Sequence, residues 1–273
     1  MDRFQNILLV GCGNMAGAML QGWLAGGIPA MRFTVVDPYR SDAPAGVTLL
    51  RELPQGNFDA ILLGVKPQGL DDVAPALAPM VGQGTVLFSI LAGVEFDSLA
   101  ARFPQAGAIV RIMPNLAAAI GKSPVALDAR GLDEAGQAAV TRLMDPLGTP
   151  EWLANEGLFD AVTALSGCGP AFVYRFIDSL AAGAAALGLD PGQSQRLAIA
   201  MAEGAAQLAA AQFRAQPPVS PGELADKVAS PGGSTRAGLN VLDADAALAR
   251  IVAAALEASR DRNAQMAAEA RKS

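Results

Sequence analysis

The segment Ser230–Thr235 reads Ser-Pro-Gly-Gly-Ser-Thr and joins two stretches of helical composition. Glycines have no Cβ, so consecutive backbone N–H groups can converge on an anion, and a helix beginning after Ser234 would add the positive end of its dipole. Hydroxyl groups add further donors. The pattern predicts a site for a small carboxylate without an arginine, although a proline-glycine turn with a helix cap has the same local sequence. The residues predicted to bind substrate are Ser230, Gly232, Gly233, Ser234 and Thr235.

A second candidate site lies in the opening sequence ILLVGCGNMAG, which places a glycine loop between an apolar run and a helical pattern. The loop matches G-x-G-x-x-(G/A), and in this context the pattern indicates a dinucleotide-binding turn. Its backbone can approach a pyrophosphate, and the helix that follows offers free N–H groups to the phosphates. The residues predicted to bind the cofactor here are Gly11, Gly13, Asn14, Met15 and Ala16.

Two charged residues after the second predicted strand bear on the identity of the cofactor. Asp37 stands where an acidic residue takes the ribose hydroxyls of NAD, whereas Arg40 could meet the 2′-phosphate of NADP. The two signals conflict, and either residue could be a solvated surface charge. The prediction is NADPH or NADH, with NADPH favoured, and both residues are predicted to bind the cofactor.

Two further segments should reach the edge of the sheet where open α/β folds bind ligands. Pro67 cannot continue a central strand, so Val65, Lys66 and Pro67 are expected at the carboxyl end of the third predicted strand. Met113 and Asn115 follow the fifth strand in the same way, and the Asn115 amide could face a ligand or cap the turn. All five residues are predicted to bind the cofactor.

The composition limits both the chemistry and the partners. The 273 residues include no histidine, which excludes Ser-His-Asp and Cys-His catalysis and most zinc sites, so no metal is expected. A net charge of −6 argues against a nucleic-acid partner. No apolar run approaches the ~18 residues of a membrane span, and the short apolar N-terminus does not fit a signal peptide. Two distant cysteines favour free thiols, so we expect a cytoplasmic protein with a small-molecule substrate.

The elements that must position these residues change in character along the chain. Continuous apolar runs at 6–10, 33–36, 58–65, 85–90 and 108–112 predict a parallel sheet covered on both faces, with edge strands near 125–127 and 152–153. After about residue 160, alanine-rich helical patterns follow at 171–187, 193–213 and 246–270. The predicted fold is α/β: a Rossmann-type dinucleotide-binding domain at 1–160, followed by an all-helical substrate and dimerisation domain at 161–273.

The predicted helical domain has few bulky residues for a core of its own. Small residues let helices approach closely, so a second subunit could complete the burial. We therefore expect a homodimer through the helical domain, or a larger assembly of such dimers, in preference to a monomer.

Five ordered motifs together resemble the pyrroline-5-carboxylate reductase family over essentially the whole chain. They are GCGNMA at 11–16, VKPQ at 65–68, RIMPN at 111–115, LSGCGPAF at 165–172 and VASPGGSTRAG at 228–238. The resemblance implies that hydride from NADPH or NADH reduces the C=N bond of 1-pyrroline-5-carboxylate to L-proline, the last step of proline synthesis. It implies that the glycine turn holds the substrate carboxylate. It also places the catalytic Thr235 hydroxyl near the ring nitrogen, as a positioning donor or a relay from water.

The chain departs from the family pattern at several places. Cys168 stands where the family often has serine, Leu116–Ala117 where it often has Thr-Pro, and Pro38 where an arginine often favours NADPH. One alternative is a β-hydroxyacid dehydrogenase-like oxidoreductase, but Val173 occupies the place of that class's catalytic lysine. The other alternative is a non-catalytic NAD(P)-binding sensor, which leaves the polar loop at 230–235 unexplained.

Overall fold

The computed structural model describes residues 3–270, and its chain separates into two compact units. The first comprises Met1–Gly167 with Ala258–Ser273, and the second comprises Cys168–Glu257. Residues 1, 2 and 271–273, at the ends of the two predicted domains, lie outside the described residues. The division of the chain at residue 160 stays a prediction.

One eight-stranded sheet organises the described residues of the first unit, in the order β3-β2-β1-β4-β5-β6-β7-β8. Neighbouring strands are parallel, apart from the antiparallel pair β6 and β7. Strands β1, β4, β5 and β6 are buried along their whole length, which fits a sheet covered on both faces. The strands are β1 (Ile7–Val10), β2 (Phe33–Val36), β3 (Thr48–Leu50), β4 (Ala60–Leu63), β5 (Val86–Ser89), β6 (Ala108–Met113), β7 (Ser123–Arg130) and β8 (Gly148–Trp152).

Helices cover the two faces of this sheet and complete two apolar clusters. One cluster surrounds Trp23 and Phe88, and the other surrounds Phe96 and Phe103. A short 3₁₀ helix, Leu116–Ile120, packs on the helix Asn14–Ala25, and a π-helical turn, Thr163–Cys168, follows the helix Phe159–Val162. The α-helices are α1 (Asn14–Ala25), α2 (Leu70–Leu77), α3 (Phe96–Arg102), α4 (Glu134–Met144) and α5 (Phe159–Val162).

The second unit is helical, and its buried apolar residues are small. They are Ala181, Ala198 and Ala229, whereas large apolar side chains on α6 and α7 are exposed. No helix within residues 3–270 is long and apolar enough to span a bilayer. The helices are α6 (Gly169–Ala186), α7 (Pro191–Phe213), α8 (Pro221–Lys227), α9 (Ser234–Asp243) and α10 (Ala247–Ala270), the last of which continues into the segment grouped with the first unit.

The predicted fold class, a Rossmann-type domain followed by an all-helical one, is confirmed, with differences in detail. The short strand β3 was not predicted, because three residues carry no clear pattern. The expected parallel sheet contains the antiparallel strand β7, which is longer than 125–127. The segment RIMPN does not follow a strand: Arg111 lies inside β6. The helical composition noted on both sides of residues 230–235 corresponds to α8 and α9, whose bounds the pattern does not predict.

Candidate functional site

The glycine loop lies where the strand order reverses, between β1 and its neighbours β2 and β4. Gly11 has a φ of +82°, and a Cβ there would lie 2.9 Å from the backbone nitrogen of Val65. A Cβ on Gly64 would lie 2.3 Å from the carbonyl oxygen of Gly11. The loops after β1 and β4 therefore touch through backbone, which requires glycine on both sides and brings the predicted residues Gly11 and Val65 together.

The first turn of α1 is open to a ligand. Gly13 is the N-cap residue, no side chain caps the helix, and nothing lies within 4 Å of a Cβ built on Gly13. Ala16 is buried, whereas Asn14 is exposed and Met15 is half-buried. A cleft of about 890 Å³, lined in part by Gly13, Asn14 and Arg40, opens beside this turn. An uncapped helix N-terminus in a cleft fits the pyrophosphate of a dinucleotide.

Asp37 and Arg40 both hold the glycine loop. The Asp37 carboxylate accepts hydrogen bonds from the backbone N–H groups of Cys12 (2.8 Å), Tyr39 (2.9 Å) and Arg40 (3.1 Å). Burial opposes its charge, but these donors and the Arg40 guanidinium outweigh burial and lower the pKa of Asp37. Arg40 donates from Nη1 to the Cys12 carbonyl oxygen (2.9 Å) and from Nε to the Asp42 carbonyl oxygen (2.7 Å). The carboxylate is therefore engaged by backbone, while the arginine lines the cleft.

The two edge segments differ in what they expose. Lys66 is exposed and is the N-cap residue of the 3₁₀ turn Pro67–Gly69, at the carboxyl end of β4. Met113 is buried against Ala126 and Phe159. The Asn115 side chain is also buried: its Oδ1 accepts from the Ala117 N–H (2.9 Å). The structure thus shows that Asn115 caps the 3₁₀ helix Leu116–Ile120, one of the two roles that the sequence left open.

The segment predicted to bind substrate forms a tight turn and then a helix. The Gly233 N–H donates to the Ser230 carbonyl oxygen (3.0 Å), and Gly232 has a φ of +74°. Proline second and a left-handed glycine third are the pattern of a type II turn. Gly233 is the N-cap residue of α9, which no side chain caps, so the N–H groups at Ser234 and Thr235 face outward from an open helix end. Both of these residues are exposed.

An ion pair joins the two helices that flank this turn. Arg236 Nη2 lies 2.7 Å from Asp226 Oδ1, so the first turn of α9 is tied to α8. The turn therefore lies between two helices that an ion pair joins, while Ser230, Ser234 and Thr235 remain exposed. This arrangement brings Ser230, Gly232, Gly233, Ser234 and Thr235 together in the second unit.

Sequence reasoning missed a charged group buried in the first unit. Arg111 donates to Glu156 Oε1 (2.6 Å), and its guanidinium lies 4.1 Å from the centroid of the Phe159 ring. The same Glu156 oxygen accepts from the Phe96 N–H at the start of α3 (2.7 Å). The sequence did contain a signal for this group, namely an arginine within an otherwise apolar strand. A buried arginine needs a buried partner, so its position could have prompted a search for an acidic residue.

The geometry defines a class of protein: a Rossmann unit with a glycine loop of the dinucleotide-binding type, followed in the chain by a helical unit that carries an exposed, uncapped glycine turn. A family model described as pyrroline-5-carboxylate reductase dimerisation matches residues 156–266. The chain is 33% identical over 269 residues to the pyrroline-5-carboxylate reductase of Pseudomonas aeruginosa, covering 96% of each chain. It is 34% identical over 251 residues to that of Glycine max, covering 86% of each. The chain therefore belongs to the pyrroline-5-carboxylate reductase family.

A comparison with solved structures agrees with this membership. The pyrroline-5-carboxylate reductase of Coxiella burnetii superposes with a TM-score of 0.87 at 27% identity, covering 96% of this chain and 98% of that one. The Plasmodium falciparum pyrroline carboxylate reductase, solved with NADP bound, has the same fold, with a TM-score of 0.81 at 24% identity and coverage of 98% and 99%. The predicted family is confirmed, and the matched dimerisation region supports dimer formation.

Proposed function

We propose that this chain is a pyrroline-5-carboxylate reductase, an NAD(P)H-dependent oxidoreductase that converts 1-pyrroline-5-carboxylate to L-proline in proline biosynthesis. The observation that carries the proposal is the uncapped turn at 230–235, which suits a carboxylate, in a chain that also has a dinucleotide loop. Reduction of the C=N bond needs a hydride at carbon and a proton at nitrogen. The family relatives share this activity by name over nearly the whole chain.

The first unit would hold the cofactor, which supplies the hydride when bound. Gly11 permits the tight turn against the loop after β4, Gly13 leaves room for the pyrophosphate, and the N–H groups at Asn14, Met15 and Ala16 begin α1. Arg40 lines the cleft and would meet a 2′-phosphate, which favours NADPH. The sheet-edge residues Val65, Lys66, Pro67 and Met113 would border the nicotinamide end.

The second unit would hold the substrate through the turn. The N–H groups at Ser234 and Thr235 would donate to the carboxylate, with the Ser230 hydroxyl as a further donor. The Thr235 hydroxyl would donate a hydrogen bond to the imine nitrogen and orient it, and the proton that the nitrogen gains would come from water. Threonine is too weak an acid to protonate the nitrogen alone, so its contribution is positioning.

The first experiment is the oxidation of NADPH and of NADH, followed by absorbance, with purified protein and 1-pyrroline-5-carboxylate. We expect oxidation with both and a larger kcat/KM with NADPH. No oxidation while the cofactor still binds would refute the proposed reaction. With 3-hydroxy acids and NAD(P) we expect no turnover, which separates this activity from that of the hydroxyacid dehydrogenases.

Two variants at Thr235 test the role of its hydroxyl group. Thr235→Val keeps the shape and removes the hydroxyl, so kcat should fall about a hundredfold while KM for the imine changes by less. Thr235→Ser keeps the hydroxyl and should retain most of the activity. Equal kcat for Thr235→Val and the wild-type chain would remove Thr235 from the mechanism.

We also propose that the chain forms a homodimer through its helical unit, or a larger assembly of such dimers, and acts in the cytoplasm. The dimerisation model covers 156–266, and exposed apolar side chains on α6 and α7 would be covered by a second copy. Sedimentation should show dimers or their multiples at micromolar concentration, and a stable monomer would contradict the proposal. The exposed side chains concerned are Val173, Tyr174, Phe176, Leu197, Ile199 and Met201.

A further inference from the structure

Three alternate residues near the end of β6 contact one later segment of the same unit. Arg111 pairs with Glu156 and lies over the Phe159 ring, and Met113 packs against Phe159. Asn115 Nδ2 donates to the Ser166 carbonyl oxygen (2.9 Å). Residues two apart in extended chain point to the same side. One side of the RIMPN motif therefore holds the segment Glu156–Ser166.

The Asn115 contact is part of a buried hydrogen-bond network. Its backbone N–H donates to Ser123 Oγ (2.9 Å), and that hydroxyl donates to the Pro124 carbonyl oxygen (2.7 Å). Asn115, Ser123 and Ser166 are all buried, so few water molecules can replace a lost partner. Buried networks in which each group is paired fix one geometry, because an unpaired group in them is costly.

The held segment has an irregular backbone at the point of contact. Ser166 lies within the π-helical turn Thr163–Cys168, and the first of the two stretches that form the first unit ends one residue later, at Gly167. A π turn contains one residue more than the α-helical turn, is rare, and is often found at functional sites. The hydrogen bond from Asn115 supplies a constraint.

We propose that Asn115 is a positioning residue of the reductase, which holds the π-helical turn through Ser166, and that its side chain does not bind the cofactor. This inference rests on the proposed function and revises the sequence prediction that placed Asn115 among the cofactor ligands. The Asn115 side chain already accepts a hydrogen bond from the Ala117 N–H and donates one to the Ser166 carbonyl oxygen. The turn leads directly into α6, so loss of its order would disturb the first residues of that helix.

Two variants keep the N-cap role of Asn115 and remove its hydrogen bond to the Ser166 carbonyl group. Asn115→Ser keeps a good N-cap but is too short to reach Ser166, and Asn115→Asp keeps the cap acceptor but has no donor for the carbonyl. Asp133→Ala is the matched control, because Asp133 caps α4 in the same unit through the Gly136 N–H (2.8 Å). The control should lose thermal stability and keep the kinetic constants.

The first readout is hydrogen exchange of the full-length protein. In both Asn115 variants, amide exchange in peptides covering 159–168 should rise about tenfold, while exchange in the central strands stays unchanged. The Asp133→Ala chain should show no such local rise. Unchanged exchange at 159–168 in the Asn115 variants would overturn the inference, whatever the activity.

The second readout compares the change in kcat with the change in the Kd for NADPH. In both variants kcat should fall about tenfold, and the Kd for NADPH should change by less than about threefold, because the cofactor loses no contact. A Kd that rises tenfold with kcat unchanged would identify Asn115 as a cofactor ligand and overturn the inference. If the wild-type chain does not reduce 1-pyrroline-5-carboxylate, the proposed function fails, while the exchange result still tests the structural constraint.

Discussion

Replacing Gly232 by alanine isolates the backbone conformation of the substrate turn. Gly232 has a φ of +74°, where an L-residue costs about 1–2 kcal/mol, and nothing lies within 4 Å of the added Cβ. The substitution therefore adds strain and no steric clash. If the turn escapes the strain by adopting another conformation, the binding-competent fraction falls about fivefold to thirtyfold. The apparent KM for 1-pyrroline-5-carboxylate should rise by that factor, with the Kd for NADPH unchanged.

Gly188 supplies the matched control for this substitution. It has a φ of +107°, also has nothing within 4 Å of an added Cβ, and lies in the same unit between α6 and α7. Gly188→Ala should lower the melting temperature at least as much as Gly232→Ala and leave KM unchanged. Steady-state kinetics and thermal unfolding on both variants test the reasoning. An unchanged KM for Gly232→Ala, or an equal KM increase in the control, would refute it.

Three further predictions concern the first unit. Arg111→Met removes the buried partner of Glu156, which keeps Arg130 at 3.6 Å and the Phe96 N–H, so it should cost about 1–3 kcal/mol of unfolding free energy, seen as a lower urea midpoint. Addition of Glu156→Gln should recover part of the loss, and an unchanged midpoint for the single variant contradicts the assignment. Arg40→Ala should raise the Kd for NADPH about tenfold and change that for NADH by less than about twofold, and an unchanged ratio removes Arg40 from cofactor recognition. Asp37 has a folded pKa below its ordinary value of 3.8, so the charge of the wild-type carboxylate stabilises the fold above that pH and the benefit is lost as the pH falls through the lowered pKa. Urea unfolding of Asp37→Asn should accordingly depend less on pH between about 5 and 2, and the same pH dependence in both chains contradicts the prediction.

The sequence predicts the central strands and the glycine loop because each depends on local information. Ile7–Val10 is a continuous apolar run followed by glycines, and this pattern is typical of the first strand and turn of a dinucleotide-binding unit. The turn at Ser230–Gly233 is predicted for a related reason, since proline and glycine restrict the backbone in known ways.

The side-chain contacts around the candidate site depend on pairs of residues that are distant in sequence. Asn115 meets Ser166 and Arg111 meets Glu156 only after the chain has folded, so neither partner is visible in a local pattern. Asp37 illustrates the same limit: its spacing indicates a ribose ligand, but the folded loop engages its carboxylate with backbone N–H groups. The predicted fold and family are therefore confirmed, whereas the assignments of individual site residues stay predictions.

The helix ends at Gly13 and Gly233 differ from those of α4, α7 and α8, which have side-chain caps at Asp133, Asp190 and Ser220. A helix without a cap gives up about 1 kcal/mol of intrinsic stability, which a bound anion can restore. On the proposed site assignments, ligands at these two helix ends would stabilise the folded state: a ligand at a hundred times its Kd adds about 2.7 kcal/mol. A destabilised variant can thus remain folded where metabolites are abundant and unfold once they are removed by dialysis.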